Sequence, residues 1–229
     1  AWPAAPGFRG ACDQQHDVAR AVREGEDGLR LARVGDDDEV AYALSTMGNV
    51  RLSANDLAGA AQVYHELLAR DERLYGPRHL KLATVHAAQS RVLRRLGDLD
   101  GAEREARAAL EIDAAVLPKD DWRHANHLNA LTMVLRAKRE FPAALESASE
   151  GLRINRLAFG NDHPEVANDL SNIGSIELRR EDYAAAATAF RESLDLAIAR
   201  YGAERYETAV SQANYGFALA YATDRPAGE

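Results

Sequence analysis

The sequence predicts an all-α fold, a solenoid of antiparallel helix pairs, on three observations. Small or helix-breaking residues recur every 42 positions. Within each period the apolar side chains follow the spacing of an amphipathic helix. No segment shows the sustained alternation of a β-strand. The period rests on four ladders in one register. Alanine stands at Ala41, Ala83, Ala125, Ala167 and Ala209. Small or short residues stand at Gly48, Ser90, Thr132, Gly174 and Gly216, and alanine again at Ala60, Ala102, Ala144 and Ala186. Helix breakers close each period at Gly76, Pro118, Gly160 and Gly202.

The elements follow in order. Residues 12–33 carry a stripe of Val18, Val22, Leu29 and Ala32, loosened by Gly25 and Gly28. Gly28-Leu29-Arg30-Leu31 parallels Gly151-Leu152-Arg153-Ile154, so this stretch reads as the last helix of a preceding unit, acting as a cap. Asp36, Asp37 and Asp38 then suit a helix N-terminus, where carboxylates meet the positive end of the dipole. Val40, Leu44, Met47 and Leu52 form the first stripe; Ala60, Val63, Tyr64, Leu67 and Leu68 form the second, after the turn at 54–56. Gly48 and Ala60 sit where the two helices of a unit cross, because two helices approach closely only where a side chain is nearly absent. Phe141-Pro142 starts a second helix, with proline in the first turn. Helices are expected near 38–53, 57–74, 80–96, 99–116, 122–138, 141–159, 164–180, 183–201 and 207–222. Ala41 and its four equivalents are expected at buried contacts. The organisation is a tail and capping helix over 1–35, then a repeat domain over 36–229, with units 36–77, 78–119, 120–161 and 162–203 and a partial unit 204–229.

Composition narrows the function. The 229 residues hold 46% hydrophobic and 28% charged side chains, ordinary for a globular chain. No run is long and apolar enough for a membrane helix. A net charge of −8 disfavours nucleic acid, and the single Cys12 forms neither an internal disulfide nor a multi-cysteine zinc site. A cytoplasmic protein, with no nucleic-acid or membrane partner and no cofactor, is expected. The basic residues are 25 Arg and 3 Lys, a ratio that points to a GC-rich bacterial genome. The chain opens on Ala1 without a signal-peptide core and reads as a piece of a longer protein.

Leu44-x2-Met47-Gly48 with Ala60-x3-Tyr64 resembles the tetratricopeptide repeat signature, as does Leu170-x2-Ile173-Gly174 with Ala186-x3-Phe190. Tyr215-Gly216 matches its first half. The usual period is 34 residues. The 42-residue form, with connectors such as Tyr75-Gly76-Pro77-Arg78-His79 and Phe159-Gly160-Asn161-Asp162-His163, resembles the kinesin light chain type of repeat. Units 2 and 3 depart from the apolar-glycine pair, with Gln89-Ser90 and Leu131-Thr132. The resemblance implies a right-handed superhelix whose first helices line a concave groove, and a partner-binding role.

Motifs for catalysis are missing: the sequence has no P-loop, no dinucleotide fingerprint, no H-E-x-x-H and no G-x-S-x-G. Cys12 and His16 have the spacing of a thiolate–imidazole pair, but a small residue on a capping helix explains Cys12 as well. His124 and His127, one turn apart after Asp120 and Asp121, have a spacing that metal ligands use, without a specified third ligand. The remaining connector histidines, His79 and His163 among them, read as turn residues.

The informative feature is the charge of the groove that the resemblance implies. Its six positions per unit gather 30 residues from five units, among them five Arg, six Asn and no acid. With 36 acids in the chain, about five are expected there at random. The candidate groove residues are Asn49, Arg91, Arg94, Arg95, Asn126, Asn129, Arg136, Asn168, Asn172, Arg179 and Asn214. Arginine grips carboxylates bidentately, and asparagine offers a donor and an acceptor to an extended main chain. The competing reading is that Arg91, Arg94 and Arg95 pair with acids on neighbouring helices. The expected function is a non-catalytic module that binds an acidic or carboxylate-bearing peptide of a protein partner. The alternative is a regulatory or sensor domain of a larger bacterial signalling protein, such as a kinase or transcription regulator. Val210, Tyr215, Phe217, Leu219 and Tyr221 are too apolar for one helix to cover, so exposure and self-association are expected at the C-terminal helix.

Overall fold

The computed structural model describes residues 7–224, with side chains over 20–223 save Glu207. Every regular element among the described residues is a helix. The chain divides into two compact units, Ala1–Ile112 and Asp113–Glu229. The first holds α1 (Gly7–Ala32), α2 (Asp37–Ser53), α3 (Leu57–Tyr75), α4 (Leu80–Leu96) and most of α5 (Leu99–Val116). The second holds the last turn of α5, then α6 (Trp122–Ala137), α7 (Phe141–Phe159), α8 (Pro164–Arg179), α9 (Tyr183–Tyr201) and α10 (Tyr206–Asp224). The repeat helices begin and end within two residues of the positions the period predicts.

The 42-residue ladder also sets the caps. Asp56, Asp98 and Asp182 each accept a backbone N–H three residues on, closing the starts of α3, α5 and α9. His79 and His163 are more than turn residues. Each accepts a backbone N–H through Nδ1, capping α4 and α8, and stacks on the aromatic ring four residues earlier, Tyr75 or Phe159. Gly76, Gly160 and Gly202 take φ of 79°, 85° and 87°, where a Cβ is strained. Pro118 holds the equivalent rung without glycine's freedom.

Packing in the first unit is built on Val40, Leu44, Met47, Ala60, Tyr64, Leu67 and Val92, with Val22 and Leu29 of α1 laid against them. The crossing of α2 and α3 is tight: a Cβ on Gly48 meets the Tyr64 ring at 2.6 Å. Gly174 repeats this in the second unit, 2.8 Å from the Phe190 ring. The same rungs elsewhere carry Ser90 with Ala106 and Thr132 with Ala148, all buried. Units 2 and 3 thus depart from the signature in two places that compensate in volume, small residue with small residue.

One expectation fails in part. Ala41, Ala83 and Ala125 are buried, but Ala167 is half-buried and Ala209 is exposed. The rung buries its methyl against another helix, and α10 has no following helix among the described residues. One position earlier, Val40, Leu82, Val166 and Thr208 are buried and His124 is half-buried, so in α8 and α10 the inner face is centred one residue before the alanine rung.

Candidate functional site

The predicted groove residues fall on the A helices, α2 and α4 in the first unit and α6, α8 and α10 in the second. On α4, Arg91, Arg94 and Arg95 follow the i, i+3, i+4 spacing of one face. Arg91 and Arg95 are exposed and Arg94 is half-buried. None of the three forms a salt bridge with an acid among the described residues. Arg95 instead donates to the Leu52 carbonyl at 3.1 Å and to Asn55 Oδ1 at 2.7 Å. Arg94 Nε is buried without a hydrogen-bond partner. Burial, and then the Arg95 charge, lower the basicity of the Arg94 guanidinium. The acid-pairing alternative therefore does not describe this cluster; ion pairs form elsewhere, as in Arg33–Glu66 at 3.2 Å and Arg51–Glu26 at 2.7 Å.

Asn49 is engaged from within: the Tyr64 hydroxyl donates to its Oδ1 at 2.8 Å. Burial pushes the Tyr64 phenol up, and the Arg91 charge opposes it. In the second unit Asn172 Nδ2 donates to Asn129 Oδ1 at 3.3 Å, linking α8 to α6. Asn126, Asn168 and Arg179 are exposed, and Arg136 and Asn214 are half-buried. The cationic cluster belongs to the first unit, and the amides dominate the second.

The histidine pair serves a different end. Asp113, its side chain fully buried, accepts from His127 Nδ1 at 2.7 Å and lies 3.2 Å from His124 Nδ1. Burial raises its pKa, but the two histidine hydrogen bonds and charges outweigh that and hold it below the ordinary carboxylate value. No group of three or more His, Cys, Asp or Glu among the described residues is arranged to hold a metal. Cys12 and His16 lie outside the described side chains.

Sequence reasoning passed over one ladder, Asp71, Asp113, Asn155 and Ala197, which runs in the same register along the B helices. The first three are buried polar side chains. The signal was present in the period, but attention to small and apolar rungs hid it.

The model for the tetratricopeptide repeat matches residues 39–115 and 123–199. The chain belongs to the tetratricopeptide repeat family. Tetratricopeptide repeats generally serve as non-catalytic scaffolds for protein–protein interaction. Among solved structures, BtubC (BKLC) from P. vanneervenii is similar at a TM-score of 0.75 and 22% identity, over 90% of this chain and 83% of that one. A putative kinesin light chain from Podosopora anserina, with nearly identical TPR-like repeats, reaches 0.71 at 12% identity, over 80% and 87%. RapI in its apo form reaches 0.63 at 16% identity, over 87% of this chain and 57% of its own. At these identities the likeness is one of fold. No curated protein matches the chain. No helix among the described residues is long and apolar enough to cross a membrane.

Proposed function

We propose that this tetratricopeptide repeat chain is a non-catalytic cytoplasmic module that binds an acidic or carboxylate-bearing peptide on its A-helix face. In the first unit Arg91, Arg94 and Arg95 supply the anion site; in the second, Asn126, Asn129, Asn168, Asn172 and Asn214, with Arg136 and Arg179, offer amides to an extended main chain and cations to its acids. The observation that carries this reading is the arginine cluster itself. Three cations share one helix face without an acid, and one has a buried Nε with nothing to bond. Like charges so close repel, and an incoming carboxylate relieves that repulsion while forming charge-assisted hydrogen bonds.

A fluorescent Asp/Glu-rich nonapeptide, titrated and read by anisotropy, tests the proposal. The double variant Arg91→Glu, Arg94→Glu should weaken binding more than tenfold and leave thermal unfolding nearly unchanged. Wild-type affinity should fall as salt rises, since screening acts over about 10 Å at 0.1 M. Binding indifferent to both changes defeats the reading. A second association surface is proposed on α10, where Val210, Phe217, Leu219 and Tyr221 are exposed and Tyr221 stacks on Tyr183; these apolar groups favour self-association.

A further inference from the structure

Asp71, in the last turns of α3, is 2% exposed, and its Oδ1 is buried without a hydrogen-bond partner. A buried carboxylate is costly unless paired or hydrogen-bonded. The repeat supplies an internal comparison. In the 42-residue register the positions of Asp71, Asp113, Asn155 and Ala197 are matched, fourteen residues on, by Val85, His127, Asp169 and Ser211. Asp113 bonds His127, and Asn155 Nδ2 donates to Asp169 at 2.7 Å. Ala197 removes the polar group altogether. Only at the first rung does a buried acid meet an aliphatic side chain, which has nothing to donate.

A cavity of about 360 Å³ opens at this rung. Asp71 lines it with Ala41, Leu67 and Val85 on one side and with the polar Asp38, Ser45, Lys81 and Thr84 on the other, and Tyr42, also in the lining, is 77% exposed. Two fixed cations are near, Arg70 and Lys81, and both are committed elsewhere, Arg70 to Asp37. Lys81 Nζ donates to Asp38 Oδ1 at 3.1 Å and to the Tyr75 hydroxyl at 2.6 Å, over the Tyr75 ring. The Tyr75 hydroxyl donates to Asp38 in turn. Lys81 thus lines the cavity with its ammonium held by Asp38 and Tyr75, and makes no hydrogen bond to Asp71. Burial accordingly raises the Asp71 carboxyl pKa, an effect that the Lys81 and His79 charges only partly offset.

We infer that this cavity is a binding site for one primary ammonium on an alkyl stem, a lysine-type side chain, with Asp71 as its counter-ion. The side of the cavity built by Ala41, Leu67 and Val85 suits the methylenes, and the carboxylate suits the charge. The volume lies at the low end for ligand pockets, as a single long side chain needs. The site shares α4 with the arginine cluster. Val85 and Arg94 are nine residues apart, about 14 Å along a helix, which is about four residues of extended chain. Resting on the proposed function, the preferred partner is therefore a peptide with a lysine about four residues from an acid.

The ammonium site is testable apart from the arginines. Butylammonium, butanol and butyrate are titrated separately into 15N-labelled protein. Butylammonium should give saturable shifts at the Ala41, Tyr42 and Val85 amides, with butanol and butyrate at least tenfold weaker. Asp71→Asn should weaken butylammonium at least tenfold. Val85→His imports the partner that Asp113 already has, so it should abolish the site and raise Tm. The proposal is overturned if butylammonium gives no saturable shift, or if either variant binds it like wild type. The acidic nonapeptide, made without Lys or Arg, reports on the arginine cluster alone. Its binding without that of butylammonium removes this inference and leaves the proposed function standing; the reverse result does the opposite.

Discussion

Replacing Asp169 by Asn should stabilise the protein at neutral pH and leave it unchanged in acid. Asp169 lies buried in α8, accepts from Asn155 Nδ2 at 2.7 Å, and has Glu165 one turn earlier. Burial raises its pKa from 3.8 to about 6; the Asn155 bond opposes this and the Glu165 charge adds to it. The folded state therefore holds this proton more tightly than the unfolded chain does. Stability contributed by the protonated form is complete below about pH 4 and is lost as pH rises through about 6. The full penalty at pH 7.5 is about 3 kcal/mol, at 1.36 kcal/mol per pH unit of displacement. Asp169→Asn removes the charge and keeps an acceptor for Asn155 Nδ2. Its new N–H also gains a partner, because Asn155 Oδ1 is buried without one. Urea unfolding followed by circular dichroism, from pH 4 to 8, is the assay. The variant should be more stable by about 2–3 kcal/mol at pH 7.5, and the curves should converge near pH 4. A difference independent of pH, or a variant weaker at pH 7.5, refutes the argument.

Further outcomes are expected. Gly174→Ala drives a methyl into the Phe190 ring and should cost about 1–3 kcal/mol in thermal unfolding; Gly216→Ala, with nothing within 4 Å of its Cβ, should be neutral or gain up to about 1 kcal/mol from helix propensity. Arg139 sits at φ 65°, so Arg139→Gly should raise stability by about 0.5–1 kcal/mol, measured by urea midpoint. Phe217→Ser with Tyr221→Ser should shift sedimentation toward monomer at high protein concentration, whereas an unchanged profile removes α10 as an association surface.

The repeat, the helix bounds and the acidic start at 36–38 were legible because they depend on local chemistry. Asp36 caps α2 through the backbone N–H of Glu39, three residues away, wherever the rest of the chain lies; the caps at 56, 98 and 182 follow the same rule but were not read from the sequence. Gly48 and Gly174 were legible as close contacts, since only glycine leaves room for a ring. The left-handed rung was missed: Asn55, Gly97, Arg139 and Glu181 all take positive φ at equivalent turns, yet only glycine announces that geometry.

The candidate site divides along the same line. Composition of the A-helix face marked Arg91, Arg94 and Arg95 as a group, because residues at i, i+3 and i+4 share a face whatever the tertiary packing. The absence of acid partners for them depends on which helices come near, and only the packed structure decides that. Likewise, His124 and His127 could be read from their spacing as one face, but not as donors to Asp113. The period alone determined that this chain is a stack of helix pairs. The buried polar rung, where one acid meets two histidines, one amide meets an acid and Asp71 meets a valine, was decided by tertiary structure. Each pairing there spans two helices, and its free energy exists only after both have been removed from water.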